Sequence, residues 1–131
     1  MQRAMTYRTY DVSVDGGSVR VGQWGPDDPD GTVGPTVIAV HRITGSHLAW
    51  AQVARAMPRV RLIAPDLRGR GRSAGVPGPF GMARHAGGLE AMTKVLGLPP
   101  ALLVGYSMGG FVAVVAAPLS GPVQRRAPYR R

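Results

Sequence analysis

Gly105-Tyr106-Ser107-Met108-Gly109-Gly110 stands between a short apolar run at residues 101–104 (ALLV) and an uncharged helix-like run, FVAVVAA. A serine on so tight a strand-to-helix turn must take a strained backbone conformation. Small residues two positions before and after it let the strand and the helix approach each other. Such a turn lifts the hydroxyl above a sheet, with a helix N-terminus beneath it. The segment therefore demands strand and helix in alternation around it, and it offers a seat for a nucleophile.

The rest of the chain supplies that alternation. Residues 7–14 alternate polar and apolar side chains, residues 18–24 do likewise, and Asp15-Gly16-Gly17 between them reads as the turn of a hairpin. Residues 25–35 form a turn-rich connector. Residues 36–40 (TVIAV) are a short β-branched run fit for a strand buried on both faces, and residues 60–64 read as a second buried strand. Residues 48–57 are helix-like, 65–81 form a Gly/Arg/Pro loop, and 82–96 give a helix ended by Gly97 and Pro99. Residues 101–104 are then a third buried strand and 108–117 a last helix. Strands separated by helices imply right-handed crossovers and a parallel sheet, so the expectation is an α/β fold with an antiparallel hairpin at residues 7–24.

Composition narrows the chemistry. A chain of 131 residues with 44% hydrophobic and 18% charged residues is one domain's worth and can bury a core. It has no cysteine, which excludes disulfides and thiolate metal sites, and nothing in it implies a metal or organic cofactor. The charged start, MQRAMTYRTYDVSV, lacks the apolar core of a signal peptide, so a cytoplasmic location is expected. Residues 95–124 carry no charge, a length that would suit a membrane span. Pro99-Pro100, Gly105, Gly109 and Gly110 break that stretch into a strand, a turn and a helix, and no membrane association is expected. The net charge of +9, with Arg59, Arg61, Arg68, Arg70 and Arg72 close together, raises a basic nucleic-acid or anion binder as an alternative. No recognition motif accompanies the charge and aromatic residues are only 6%, so no specific nucleic-acid partner is expected.

Two further motifs give the chain a family likeness. His41-Arg42-Ile43-Thr44-Gly45-Ser46 closes the run TVIAV, and Ala64-Pro65-Asp66-Leu67-Arg68-Gly69-Arg70-Gly71-Arg72-Ser73 follows the next strand. With the serine turn and Leu96-Gly97-Leu98, these resemble the N-terminal half of an α/β-hydrolase. They are similar to small bacterial esterases, enol-lactonases and cofactor-free haloperoxidase-like members over roughly residues 7–117. The resemblance implies a three-layer, mostly parallel sheet, truncated after the helix that follows the nucleophile elbow, with the strand at 36–40 between those at 60–64 and 101–104. It implies Ser107 as nucleophile, the N–H groups of Ile43 and Met108 as oxyanion donors, and a small ester or lactone substrate processed through an acyl-enzyme. It also implies that His41 braces the oxyanion loop and that Asp66 is a structural loop carboxylate. His47 and His85 read as a helix-start and a helix-face residue. A serine at this seat argues against the dehalogenase and epoxide-opening relatives, which use a carboxylate there.

Departures from the family pattern qualify the activity. Arg42 stands where the family usually has glycine, at a position expected to need an unusual backbone angle, a strain of roughly 1 kcal/mol or more. Residues 108–131 contain no Asp, Glu or His, whereas the triad order in this fold is serine, then acid, then histidine. A serine hydroxyl without an adjacent base is a weak nucleophile. Residues 1–117 thus read as half of a hydrolase domain and 118–131 as a basic Pro/Arg-rich tail, expected to be disordered. The chain alone is expected to be inactive, and a truncated non-catalytic relative is the alternative. The strand at 101–104 is expected to remain a sheet edge, a site for self-association.

Overall fold

In the computed structural model, which describes residues 6–26, 35–73, 75, 76, 78, 80–98 and 101–116, the two alternating segments pair as expected. Strand β1 (Tyr7–Val14) runs antiparallel to β2 (Gly17–Trp24), from Tyr7 opposite Trp24 to Val14 opposite Gly17. Gly16, at φ 92°, makes the reversal possible within the short turn between Val14 and Gly17. The hairpin places Val12, Val19 and Val21 on its buried side.

The apolar runs form the centre of the sheet. Strand β3 (Thr36–Val40) is buried along its whole length, and it lies parallel to β4 (Arg61–Pro65) on one side and to β5 (Leu102–Gly105) on the other. The order is β1-β2-β4-β3-β5, with β2 antiparallel to β4, so a parallel block of three strands carries an antiparallel hairpin on one flank. The strand at 36–40 lies between the other two, as the resemblance implied. A strand covered on both faces has no reason to alternate, which is why residues 37–40 are apolar throughout.

Period-two geometry sends alternate side chains to opposite faces. Ile38, Val40 and Ile63 pack with Ala86, Leu89, Met92, Val112 and Ala116 under helices α2 (Met82–Leu96) and α3 (Met108–Ala116). Ala39, Leu62 and Ala64 pack on the other face with Trp24 and with Ala54 of helix α1 (Ala51–Ala56). The three layers follow from this division. Helix α2 stops at Gly97, whose φ of 60° lets its N–H and that of Leu98 cap the Lys94 and Thr93 carbonyls.

The differences from the sequence reading are local. The segment expected as one helix at 48–57 begins as a 3-10 turn, His47–Trp50, capped by the Ser46 side chain, and is α-helical only over Ala51–Ala56. The strands at 60–64 and 101–104 each start one residue later. The uncharged stretch from residue 95 is divided, as far as residue 116, among the end of α2, β5 and α3. Among the described residues no helix is long and apolar enough to cross a membrane. The tail at 118–131 lies outside the described residues.

Candidate functional site

Strand β5 ends at Gly105 and α3 begins at Met108, leaving Tyr106 and Ser107 to make the turn. Ser107 has φ 55°, and among the described residues no other non-glycine residue has positive φ. Holding an L-residue there costs on the order of 1–3 kcal/mol and persists only where surrounding structure imposes it. Here the imposing contacts are visible. Tyr106 donates its N–H to the Val40 carbonyl at 3.1 Å, and the Ser107 carbonyl accepts from Gly110 N–H at 2.9 Å. A Cβ on Gly105 would collide with the backbone of Gly109 and Gly110, and one on Gly109 would collide with the carbonyls of Val40 and His41. The serine is exposed at the tip of this turn.

The register Val40 opposite Gly105 carries the segment after β3 to the same end of the sheet as Ser107. Ile43 lies within the turn closed by the Gly45 N–H donating to the Arg42 carbonyl at 2.9 Å, and its side chain is half exposed. Met108 is the first residue of α3, where N–H groups have no intrahelical acceptor. The strain expected at Arg42 is absent, since its φ is not positive. The loop accommodates arginine because the turn bends without a left-handed residue there. Beside it, His41, Arg42, Ala49, Trp50, Val53 and Tyr106 line a cavity of about 340 Å³, within the range of small-molecule sites. The Trp50 indole N–H has no hydrogen-bond partner.

His41 is buried with both ring nitrogens engaged. Nδ1–H donates to the Arg42 carbonyl at 2.6 Å and Nε2 accepts the Leu67 N–H at 3.0 Å, which defines a neutral tautomer. Burial holds its pKa below the ordinary histidine value, against the raising effects of the Arg42 carbonyl and Asp66. The ring therefore braces the loop after β3 against the loop after β4, and no lone pair is left to serve a serine.

No motif in the sequence links His47 with Asp66, and the structure joins them. Asp66, fully buried, accepts the His47 N–H at 2.6 Å and Nδ1–H at 2.7 Å on Oδ1, and the Arg72 N–H at 2.8 Å on Oδ2. Burial pushes its carboxyl up, yet the hydrogen bonds from the His47 side chain and from the His47 and Arg72 N–H groups hold it below the usual range. The opposite face of the imidazole meets the Tyr7 hydroxyl, 2.8 Å from Nε2. Nothing in the spacing of residues 7, 47 and 66 announces this chain. It arises because the β1–β2, β2–β4 and β3–β4 pairings bring three distant segments together.

His85, on the buried face of α2, has no hydrogen-bond partner for either ring nitrogen. It lines a cavity of about 20 Å³ with Asp66, Arg68 and Met92. Burial lowers its pKa, and Arg70 and Arg68 lower it further. His41 and His47 are thus engaged away from the turn, His85 is buried on α2, and among the described residues no hydrogen bond reaches the Ser107 hydroxyl. No group of His, Asp and Glu among those residues is placed to hold a metal ion.

Comparisons with known proteins agree with this architecture. A family model described as the alpha/beta hydrolase fold matches residues 35–125. The chain is 31% identical over 96 residues to a lipase, LipV, of Mycobacterium tuberculosis, covering 73% of this chain and 34% of the lipase. Its backbone superposes with a TM-score of 0.74 on an epoxide hydrolase from an endophytic Streptomyces, at 29% identity, covering 89% of this chain and 34% of that one. A thioesterase domain from the curacin biosynthetic pathway superposes with a TM-score of 0.72 at 28% identity, covering 87% and 42%. The chain spans 24% to 38% of the length of the curated relatives it matches.

Proposed function

The chain belongs to the α/β-hydrolase family, and on that premise we propose that it carries the nucleophile half of a serine hydrolase of the carboxylic-ester type. The observation that supports this is the left-handed backbone of Ser107 on a glycine-flanked turn between β5 and α3. Ser107 is the nucleophile, and Met108 and Ile43 supply the N–H groups that stabilise the oxyanion. The substrate is a small ester or lactone whose apolar part enters the cavity beside His41, Trp50 and Tyr106. A hydroxyl attacks an acyl carbon and leaves an acyl-serine. The same position in an epoxide or haloalkane opener needs a carboxylate, which serine cannot supply.

The proposal includes a silent ground state. A serine hydroxyl needs a base within about 2.6–3.2 Å, whereas His41 and His47 are hydrogen-bonded to other groups and His85 is buried on α2. This favours the second reading, that the chain alone is a non-catalytic relative keeping the half-fold. We propose further that it self-associates through the side of β5 that no other described strand pairs with, and that it has no dedicated nucleic-acid or membrane role.

Labelling with a fluorophosphonate tests the seat independently of turnover. The expected result is a slow adduct confined, among the serines, to Ser107, because two preorganised donors accelerate attack there by on the order of 10²-fold. Equal labelling of Ser46 and Ser107 would overturn the assignment.

A further inference from the structure

Tyr7, His47 and Asp66 form a hydroxyl-base-acid chain separate from Ser107. The Asp66 carboxylate accepts the His47 Nδ1–H at 2.7 Å, which in the neutral imidazole puts the proton on Nδ1 and the lone pair on Nε2. That lone pair faces the Tyr7 hydroxyl at 2.8 Å, and the hydroxyl must therefore be the donor.

The setting is built to hold this geometry. Gly22 lacks a Cβ in the space that the His47 ring fills, and a Cβ there would collide with the ring. The Tyr7 ring stacks on the buried Trp24 at 4.9 Å. Asp66 and His47 are buried, while Tyr7 is 46% exposed, so the relay runs from the interior to a partly exposed residue. A hydroxyl in hydrogen-bond reach of a base, itself oriented by a third group, is the arrangement that activates side-chain nucleophiles. A purely structural staple between β1 and the loop after β4 would need the same contacts but would give the phenol no unusual reactivity.

We propose that Tyr7 is an acyl-accepting nucleophile, with His47 as its general base and Asp66 as the positioning residue, reactive toward activated esters. The Tyr7 oxygen bonds to the acyl carbon while its proton passes to His47 Nε2. The bond from that carbon to the leaving oxygen breaks, and the proton on His47 leaves with the departing group or to solvent. The product is an O-acyl tyrosine, formed once per chain, with no oxidant or reductant required.

The experiment uses the full chain carrying Ser107→Ala, so that its outcome and that of the serine reading are independent. The chain is treated with p-nitrophenyl acetate at neutral pH, and acetyl groups on tyrosines are located over time by peptide mass spectrometry. Tyr7 is expected to acetylate roughly tenfold or more faster than Tyr10 and Tyr106. Tyr106 is more exposed, at 63%, so labelling by exposure alone would favour it. The Tyr10 hydroxyl donates to Gln23 Oε1 at 2.7 Å, an amide oxygen that cannot take its proton. His47→Gln is expected to remove the advantage of Tyr7. If that variant does not fold, the ratio within the Ser107→Ala chain decides alone. Tyr106 or Tyr10 reacting as fast as Tyr7 overturns the proposal.

Discussion

The Tyr106 N–H donates to the Val40 carbonyl at 3.1 Å, which fixes the turn bearing Ser107 to the end of β3. This bond sits where α3 comes so close that Gly109 has no room for a Cβ against Val40 and His41. Alanine at Gly109 must push the helix away from the strand, and it is expected to cost about 1–3 kcal/mol by overpacking. Alanine at Gly110 meets only the Gly105 carbonyl at 3.5 Å, an ordinary contact, and gains helix propensity. Urea unfolding of the two variants should therefore shift in opposite directions, and equal shifts would show that the close approach is not there.

Helix α2 carries a different kind of glycine. Gly87 and Gly88 have no heavy atom within 4 Å of a built Cβ and lie mid-helix at ordinary φ. Gly→Ala at each is expected to stabilise by roughly 0.5–1 kcal/mol, and the double variant by about the sum. Thermal melts of the two single variants and the double variant check this.

How much of this was legible in the sequence depends on whether a residue's role is local. The hairpin, the apolar strands and the strand-turn-helix at Ser107 declare themselves because alternation, β-branching and flanking glycines act within a few residues. The position of β3 between β4 and β5 came from family likeness, since no local pattern encodes strand order. The Asp66–His47–Tyr7 chain was illegible, as its members meet only through sheet register. The strain expected at Arg42 failed for a related reason: the backbone angle belongs to the loop's path, which the residue type does not reveal.

Acid should expose the buried titratable groups. The pKa values of His41 and His85 are lowered, chiefly by burial, so below about pH 6.5 the unfolded chain takes up protons that the folded chain refuses. Stability is then fully present above that value and falls as the pH drops. Asp66 adds a second loss at lower pH, since its folded pKa lies below the ordinary carboxylate value and its contribution disappears as the pH falls through it. Urea titrations at pH 7 and pH 5 should show the wild type losing more stability than His85→Leu. Identical losses would mean that His85 titrates freely in the fold.

Replacing the acid itself probes the loop. Asp66→Asn retains the shape but sets an amide N–H₂ among donors from His47 and Arg72, and it is expected to cost on the order of 2–4 kcal/mol. A denaturation midpoint within error of the wild type would contradict the buried hydrogen-bonded carboxylate.

Strand β5 pairs with β3 alone among the described residues, and Leu102 on it is 43% exposed. An apolar strand edge recruits other strands unless a charge interrupts it. Sedimentation velocity should show self-association of the wild-type chain that Leu102→Lys weakens. A wild-type chain that stays monomeric at high concentration contradicts association through this edge.

On the proposed reading, Ser107 occupies a nucleophile's seat that no histidine of this chain serves. Steady-state hydrolysis of p-nitrophenyl acetate, compared between the wild type and Ser107→Ala, tests it most directly. General-base assistance is worth on the order of 10²–10⁴ in rate, so its absence is easily read. Both proteins are expected, after any first equivalent released, to turn over at the same near-background rate. Robust turnover in the wild type that Ser107→Ala abolishes would contradict it, because a base would then be reaching Ser107.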